Sequence, residues 1–268
     1  FYYLQGDDGL FTRYEINMGL SNDSEGITLS DHNRNGQIEL LIYGGLNYFV
    51  FPEDEDFGLW SDNELIAFDA PNDAIGGLVI NSSSYDFDLD GDLDYIIVGL
   101  EISGSYILEM ESPELFSIVF EEGLYNFEVP IGFAHDGLGY GTSCLDINND
   151  GAGDIFLANQ NHNNQLFIND ALINNNNQIE FSLSENQIST MDNGTIGASW
   201  ADYDNDGDMD VVIVRNLDNM SSLYNNADGS FLSVFQFPSS YGSSWGDLNN
   251  DGLIDLVTTN DEDHDSYI

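Results

Sequence analysis

The sequence contains no lysine and three arginines (Arg13, Arg34 and Arg215) against 49 aspartates and glutamates. The absence of lysine excludes Schiff-base catalysis by a side-chain amine. The formal net charge of −46 repels nucleic-acid phosphates and anionic membrane surfaces, so we expect neither as a partner. Because so much charge of one sign also opposes compaction, the composition predicts that cations bind close to the folded chain.

Other features are scarce as well. Cys144 is the single cysteine, which excludes an internal disulfide. No segment is long and apolar enough to span a bilayer, so we expect no membrane insertion. The chain begins at Phe1 without a visible leader, and we interpret it as a mature or excised piece of a longer precursor. Its 41% of hydrophobic residues suffice to build a core.

What the sequence does contain is a repeat. Five nine-residue segments align without gaps, each with Asp or Asn at positions 1, 3 and 5, Gly at position 6 and a carboxylate at position 9. Their starts lie 45 to 60 residues apart, which favours an array of similar structural units. We call these segments loops 1 to 5; they span residues 31–39, 86–94, 146–154, 202–210 and 247–255.

The spacing within each loop predicts a calcium site, with up to five calcium ions in all. Calcium takes about six to eight oxygen ligands, and a tight loop supplies them from alternating positions, with a backbone carbonyl at position 7. Glycine at position 6 permits the sharp turn. The predicted ligands are Asp31, Asn33, Asn35, Gln37 and Glu39 in loop 1; Asp86, Asp88, Asp90, Asp92 and Asp94 in loop 2; Asp146, Asn148, Asp150, Ala152 and Asp154 in loop 3; Asp202, Asp204, Asp206, Asp208 and Asp210 in loop 4; and Asp247, Asn249, Asp251, Leu253 and Asp255 in loop 5.

The residues after each loop decide between two kinds of calcium loop. An EF-hand needs a carboxylate at position 12 and a following helix. Position 12 here lacks a carboxylate, and the residues around it are short, apolar and rich in β-branched types, which predicts buried strands. The residues at position 12 are Ile42, Ile97, Leu157, Ile213 and Thr258.

The remainder of each repeat predicts an all-β fold. Asp-Gly hairpins within residues 3–11 and 223–231 predict further strand pairs, so each repeat has room for four antiparallel strands. Four strands per repeat of this length are typical of a β-propeller blade. We therefore predict one propeller domain over residues 1–268, with blades at 21–70, 71–130, 131–190, 191–237 and 238–268, the last completed by 1–20. Two alternatives stay open: an excised part of a larger propeller, or a protomer that completes its blade with a neighbour's strand.

These motifs resemble the FG-GAP/VCBS repeat family. The resemblance rests on the five loops, above all residues 200–210, and on the two hairpins that end in Phe11 and Phe231. It implies calcium-binding propeller blades of the kind found in integrin α-subunit heads and in many secreted bacterial proteins, and hence an extracellular location. Family propellers often have seven blades, whereas five loops occur here.

The sequence assigns no catalytic residue. None of the four histidines lies in a metal-binding HExxH pattern or beside a plausible nucleophile. We therefore expect a non-enzymatic protein in structural assembly or adhesion, with other copies of itself, including a homopolymer, or an extracellular protein or glycan as partner. Two alternatives are a lectin-like module that recognises carbohydrate or protein, and the non-catalytic part of a polysaccharide-degrading enzyme.

Overall fold

Every regular element in the described part of the chain is a β-strand, which confirms the predicted all-β class. The structure is a computed structural model. It describes residues 2–5, 9–14, 24–31, 36, 38–44, 47–52, 60–68, 79–99, 106–112, 115–119, 142–159, 163–170, 179, 181–190, 194–215 and 220–259.

Sixteen of these strands form four antiparallel sheets of four strands each, as the repeat predicts. In every sheet the strands are neighbours in chain order, so each sheet is a simple meander. Sheet 1 contains β3 (Ser24–Ser30), β4 (Glu39–Gly44), β5 (Asn47–Pro52) and β6 (Trp60–Phe68). Sheet 2 contains β7 (Val79–Tyr85), β8 (Asp94–Gly99), β9 (Tyr106–Ser112) and β10 (Leu115–Val119). Sheet 3 contains β11 (Thr142–Leu145), β12 (Asp154–Leu157), β13 (Gln165–Asn169) and β14 (Phe181–Ser184). Sheet 4 contains β15 (Thr195–Ala201), β16 (Asp210–Arg215), β17 (Ser221–Ala227) and β18 (Ser230–Phe237).

Two further sheets have two strands each. Sheet 5 contains β19 (Gly242–Gly246) and β20 (Asp255–Thr259), and the N-terminal hairpin contains β1 (Tyr2–Gln5) and β2 (Phe11–Tyr14). Within the described residues no ladder joins β20 to β1. Closure of the ring and the division into the five predicted blades therefore stay predictions.

The sheets lie side by side through their first strands. Strand β7 contacts β3 on one side and β11 on the other, and β15 likewise contacts β11 and β19. Small hydroxyl side chains join some of these strands: Ser199 hydrogen-bonds Ser243 at 2.7 Å, and Thr28 hydrogen-bonds Ser82. Each loop connects the first strand of its sheet to the second, so the loops occupy the same place in every sheet.

The core lies between neighbouring sheets, as β16 illustrates. Residues 211–214 are all buried because both faces of this strand are covered. Val211 belongs to a cluster with Phe156 of sheet 3, whereas Val212 belongs to a cluster with Trp245 of sheet 5. The predicted apolar segment after loop 4 is therefore a central strand packed on two sides, which fits its lack of polar alternation.

One inter-sheet contact depends on the absence of a side chain. Position 8 of loop 3 is Gly153, where the other loops carry a larger residue. A Cβ atom on Gly153 would overlap the ring of Tyr85, which comes from the end of β7 in the neighbouring sheet. The Tyr85 ring also packs against Phe87 at a centroid distance of 5.9 Å. The residues at position 8 of the other loops are Ile38, Leu93, Met209 and Ile254.

We predict that Gly153→Ala destabilises the protein by about 1–3 kcal/mol, because overpacking moves the Tyr85 ring. The matched control is Gly246→Ala. Gly246 has open space around its Cβ position, and the equivalent residue of sheet 4 is already Ala201. The control should change stability by less than about 0.5 kcal/mol. Urea unfolding in calcium measures both, and equal stability of the two variants would contradict the contact.

Candidate metal centre

In loops 1, 3, 4 and 5 the carboxylate at position 1 accepts hydrogen bonds from the backbone of its own loop. In loop 3 the Asp146 side chain accepts hydrogen bonds from the backbone N–H groups of Asp150 (3.0 Å) and Gly151 (2.9 Å). Asp202 of loop 4 and Asp247 of loop 5 accept the equivalent pairs of bonds. This pattern closes the turn that Gly at position 6 makes possible, because Gly151 has a φ of 95°.

The carboxylate at position 9 ties the loop to the sheet. Asp154 accepts the backbone N–H of Ile147 within its own loop and that of Asn169 at the end of β13, both at 2.9 Å. Asp210 accepts the N–H groups of Tyr203 (3.0 Å) and Asn226 (2.8 Å) in the same way. Both aspartates are fully buried. Asp94 and Asp255 make the bond within the loop to Phe87 and Leu248.

Loops 2 and 4 bring carboxylates together as the sequence predicts. The side chains of Asp86, Asp88 and Asp94 place oxygens within 4.8 Å of one another, and so do those of Asp202, Asp204 and Asp210. Two ligands on opposite sides of a calcium ion lie about 4.6–5.2 Å apart, so one ion fits among three such oxygens. The donors are all oxygens, which suits calcium better than a transition metal.

A further carboxylate of loop 2 supports this fit. Oδ1 of Asp92 is buried and has no hydrogen-bond partner. A buried charged atom of this kind is costly unless it is paired or binds a metal. Loop 2 would therefore hold the ion with Asp86, Asp88 and Asp94. The positive charge of that ion would lower the cost of burying Asp92 nearby. Bound calcium would supply positive charge to these acidic side chains.

Predicted ligands of loops 1 and 3 are described in part. In loop 3 Asn148 donates from its Nδ2 to Asp150 at 3.0 Å, which keeps two predicted ligands together. In loop 1 Asp31 accepts the N–H of Gly36 at 2.9 Å, and its Oδ1 is buried without a partner. Asn33, Asn35 and Gln37 lie outside the described residues, and of Glu39 the structure describes the strand position alone. At position 7 Ala152 is fully buried. Its side chain has no oxygen, so only its backbone carbonyl could serve as a ligand.

Burial and mutual repulsion raise the pKa of several of these carboxyl groups. Burial, with the charge of Asp90 as the next cause, raises the pKa of Asp92 to about 7. Burial also raises the pKa of Asp154 to about 7, although its bonds from the backbone N–H groups of Asn169 and Ile147 act in the opposite direction. The pKa of Asp88 and that of Asp210 are raised mainly by burial too. A divalent cation favours the ionised forms and so competes with protons.

Two sets of residues in the site escape the sequence analysis. Position 4 adopts a positive φ in four loops, at Leu89, Asn149, Asn205 and Asn250. Asparagine tolerates this conformation better than most residues, so its recurrence at position 4 is the signal that could have revealed it. The second set contains Asn169 and Asn226, which lie near the end of the third strand of their sheets. Their side chains donate hydrogen bonds to the loop of the preceding sheet.

Comparison with known protein families agrees with this geometry. Residues 146–213, which include loops 3 and 4, match the FG-GAP-like repeat. This match confirms the resemblance to the FG-GAP repeat family that the loop motifs predict. The described part of the chain is thus all-β, and residues 146–213 contain an FG-GAP-like repeat.

Solved structures share the fold at low sequence identity. One is a lectin from Agrocybe aegerita that recognises non-reducing terminal N-acetylglucosamine, with a TM-score of 0.55 and 13% identity over 90% of this chain and 58% of the lectin chain. Another is the exotype rhamnogalacturonan lyase YesX, with a TM-score of 0.51 and 13% identity over 96% of this chain and 47% of the lyase chain. The chain therefore spans about half the length of these two proteins.

A third structure, the Tc holotoxin pore of Photorhabdus luminescens, matches with a TM-score of 0.48 and 15% identity, over 93% of this chain and 11% of the toxin chain. A search of curated protein sequences gives no match. Among the described residues, no helix is long and apolar enough to cross a membrane.

We predict that calcium-free protein becomes more stable as the pH falls from about 8 to about 5. The pKa values of Asp92 and Asp154 are about 7 in the folded chain against an ordinary value of 3.8. Between these values the folded state binds more protons than the unfolded state, so acid favours folding. Thermal unfolding in calcium-depleted buffer measures the effect. Saturating calcium should weaken or reverse it, and a melting temperature that falls with acid in depleted buffer would contradict the prediction.

Proposed function

We propose that this chain is a calcium-binding module of an extracellular protein, and that it acts in structural assembly or adhesion without catalysing a reaction. The observation that carries the proposal is the convergence of three carboxylates in each of two loops, Asp86–Asp88–Asp94 and Asp202–Asp204–Asp210. The net charge of −46 supports the same conclusion, because bound cations reduce the self-repulsion of the folded chain.

The position of the loops supports a structural role for the ion. Each loop joins the first and second strands of a sheet, and the first strands form the contacts between sheets. An ion that fixes a loop therefore also fixes the inner edge of that sheet. Such an ion stabilises the folded chain by an amount that grows with the logarithm of its free concentration relative to its dissociation constant.

The family match and the calcium supply support the proposed extracellular location. FG-GAP repeats are typical of extracellular proteins, and residues 146–213 match that repeat. Calcium modules outside the cell bind with dissociation constants of about 10⁻⁴–10⁻³ M, which the calcium concentration there satisfies. In this setting calcium acts as a constitutive structural component and as the condition for assembly.

A recognition module is the second candidate. Its support is the likeness in fold to a lectin that recognises non-reducing terminal N-acetylglucosamine. Exposed aromatic side chains add to it, since Tyr241 and Phe235 are 51% and 59% exposed. Aromatic rings of this kind provide apolar faces against which a sugar ring packs. The likeness to a rhamnogalacturonan lyase supports in turn a non-catalytic part of a polysaccharide-degrading enzyme.

Solution mass in calcium and after its removal tests the first proposal. We expect light scattering to show assemblies well above the 29.7 kDa chain mass in about 1–10 mM calcium, a range in which extracellular modules are loaded. Excess chelator should dissolve them. A variant with Asp204→Asn and Asp88→Asn weakens loops 2 and 4 and should need more calcium to assemble.

The matched control replaces two exposed acidic residues outside the loops, Asp228→Asn and Glu185→Gln, and should assemble as the unmodified chain does. A monomer in calcium that unfolds on chelation would favour the recognition module, with glycan binding as the next assay. A mass and fold that ignore chelator in every variant would refute calcium binding itself.

We also propose that the N-terminal hairpin completes sheet 5 as its third and fourth strands. The support is a difference between equivalent residues. Phe231 in β18 is buried against Trp200 at a ring distance of 6.1 Å, whereas Phe11 in β2 is 65% exposed. The residue equivalent to Trp200 in sheet 5 is Trp245, so a joined sheet would place Phe11 beside Trp245 and bury it.

Substitution of Phe11 tests this closure. If the hairpin completes sheet 5, Phe11→Ala should destabilise the protein by about 3–5 kcal/mol, as expected for a buried phenylalanine. The control is Leu10→Ala. Leu10 is 68% exposed and aligns with Ser230, which is exposed in sheet 4, so its loss should be nearly neutral. Urea unfolding in calcium compares the two; a neutral Phe11→Ala would leave the hairpin outside sheet 5.

A further inference from the structure

Loops 3 and 4 touch each other directly. The side chain of Asn149, at position 4 of loop 3, donates from its Nδ2 to the carboxylate of Asp208 and to the backbone carbonyl of Gly207 (3.3 Å). These acceptors are positions 7 and 6 of loop 4. Position 7 is where the repeat predicts a backbone ligand, so the tip of one loop contacts the ligand-bearing turn of the next.

A second contact aligns the two loops from below. Asn226, at the end of β17, donates from its Nδ2 to the carbonyl of Ile147 at position 2 of loop 3 (2.8 Å), and its own N–H donates to Asp210 at position 9 of loop 4 (2.8 Å). Asn226, Ile147 and Asp210 are fully buried, and the Ile147 N–H in turn donates to Asp154. Because buried hydrogen bonds are costly to break, this chain fixes the bases of the two loops relative to each other.

The two contacts differ in what they leave free to move. The Asn226 contact is buried, whereas Asn149 and the tip of loop 4 around Gly207 are exposed. The bases are therefore fixed and the exposed tips are the parts that an ion can order. The carboxylate of Asp208 also accepts the N–H of Asp228 at 2.8 Å, so it lies between the turn that joins β17 to β18 and the side chain of Asn149.

We propose that calcium binds to loops 3 and 4 with positive cooperativity, coupled through the contact of Asn149 with Asp208 and Gly207. The inference rests on the proposed calcium binding. An ion in loop 4 orders the turn that holds both acceptors, and these acceptors then order Asn149 in loop 3. The second ion therefore meets a loop with less conformational entropy to lose, and the effect is reciprocal.

Electrostatics acts against this coupling and gives the inference a sharper test. Two bound divalent ions repel each other, whereas the Asn149 contact is short-ranged. Salt screens interactions between exposed charges beyond about 8 Å at physiological ionic strength, and beyond about 3 Å at 1 M. Cooperativity should accordingly be positive and increase with added potassium chloride, whereas coupling by electrostatic repulsion alone would be negative and would only approach zero as salt is added.

The experiment titrates the full chain with calcium and follows each loop separately by NMR. The backbone N–H groups of Gly151 and Gly207 donate to position 1 of their own loops and so report on loops 3 and 4. A chain with Asp204→Asn and Asp206→Asn, which disables loop 4, should bind calcium at loop 3 about fivefold to tenfold more weakly. Disabling loop 3 with Asp146→Asn and Asp150→Asn should weaken loop 4 by the same factor.

Asn149→Gly tests the contact itself, because glycine keeps the positive φ of 57° while removing the side chain. It should abolish the effect of disabling loop 4 on loop 3. The matched control is Asn205→Gly, at the same position of loop 4 and with a φ of 60°; among the described residues the Asn205 side chain makes no hydrogen bond, so the coupling should persist.

Three results overturn the inference in distinguishable ways. Two loops that bind calcium independently leave the proposed function intact and refute the coupling. Equal coupling in Asn149→Gly and Asn205→Gly refutes the route through Asn149. Absence of calcium binding at both loops refutes the proposed function and the coupling together.

Discussion

The structure depends on a buried carboxylate that accepts hydrogen bonds from the backbone. At position 9 of loops 3 and 4, Asp154 and Asp210 each accept one N–H from their own loop and one from the third strand of their sheet. Burial raises the pKa of both groups, and the two hydrogen bonds offset part of that cost. Loops 3 and 4 are thus attached to their sheets by hydrogen bonds that do not require an ion. These bonds also fix the position of the loop's other carboxylates relative to the sheet.

The same economy governs the contacts between sheets. Because β16 is covered on both faces, the chain needs no separate core within each sheet, and neighbouring sheets share their apolar side chains. The polar counterpart of this packing is Asn226, which satisfies a buried carbonyl in the preceding loop. Apolar packing and hydrogen bonding therefore connect the same pairs of sheets.

Much of this arrangement follows from local sequence. The nonamer predicts the turn because Asp at position 1 and Gly at position 6 determine its backbone, and the apolar residues after it predict a buried strand. Position 9 shows where local reasoning ends: the sequence predicts a ligand at Asp154, but it does not indicate that both oxygens of this side chain also accept backbone N–H groups. The partner N–H of Asn169 belongs to another strand, and nothing within the nonamer specifies it.

Contacts between sheets lie still further from what one repeat encodes. Asn226 meets Ile147 across 79 residues, and Tyr85 meets Gly153 from another sheet. In a single sequence these pairs look like ordinary strand and loop residues. Gly153 is an exception, because the sequence alone indicates its contact. A glycine where every other loop has a larger side chain suggests that a neighbouring side chain fills the space.

The carboxylates give each loop both hydrogen bonds to the backbone and negative charge. Those at positions 1 and 9 accept backbone hydrogen bonds, which gives the loop its shape in the absence of a cation. In loop 2 Asp92 has a buried oxygen without a partner, and burial first and the charge of Asp90 second raise its pKa to about 7. The carboxylates at positions 1 and 9 also belong to the two clusters that could hold a metal ion, at Asp86 and Asp94 in loop 2 and at Asp202 and Asp210 in loop 4. The same side chains therefore shape the loop and concentrate its negative charge. In the proposed calcium-bound form, an ion that neutralises these carboxylates would also stiffen the loop and reduce the self-repulsion of so acidic a chain.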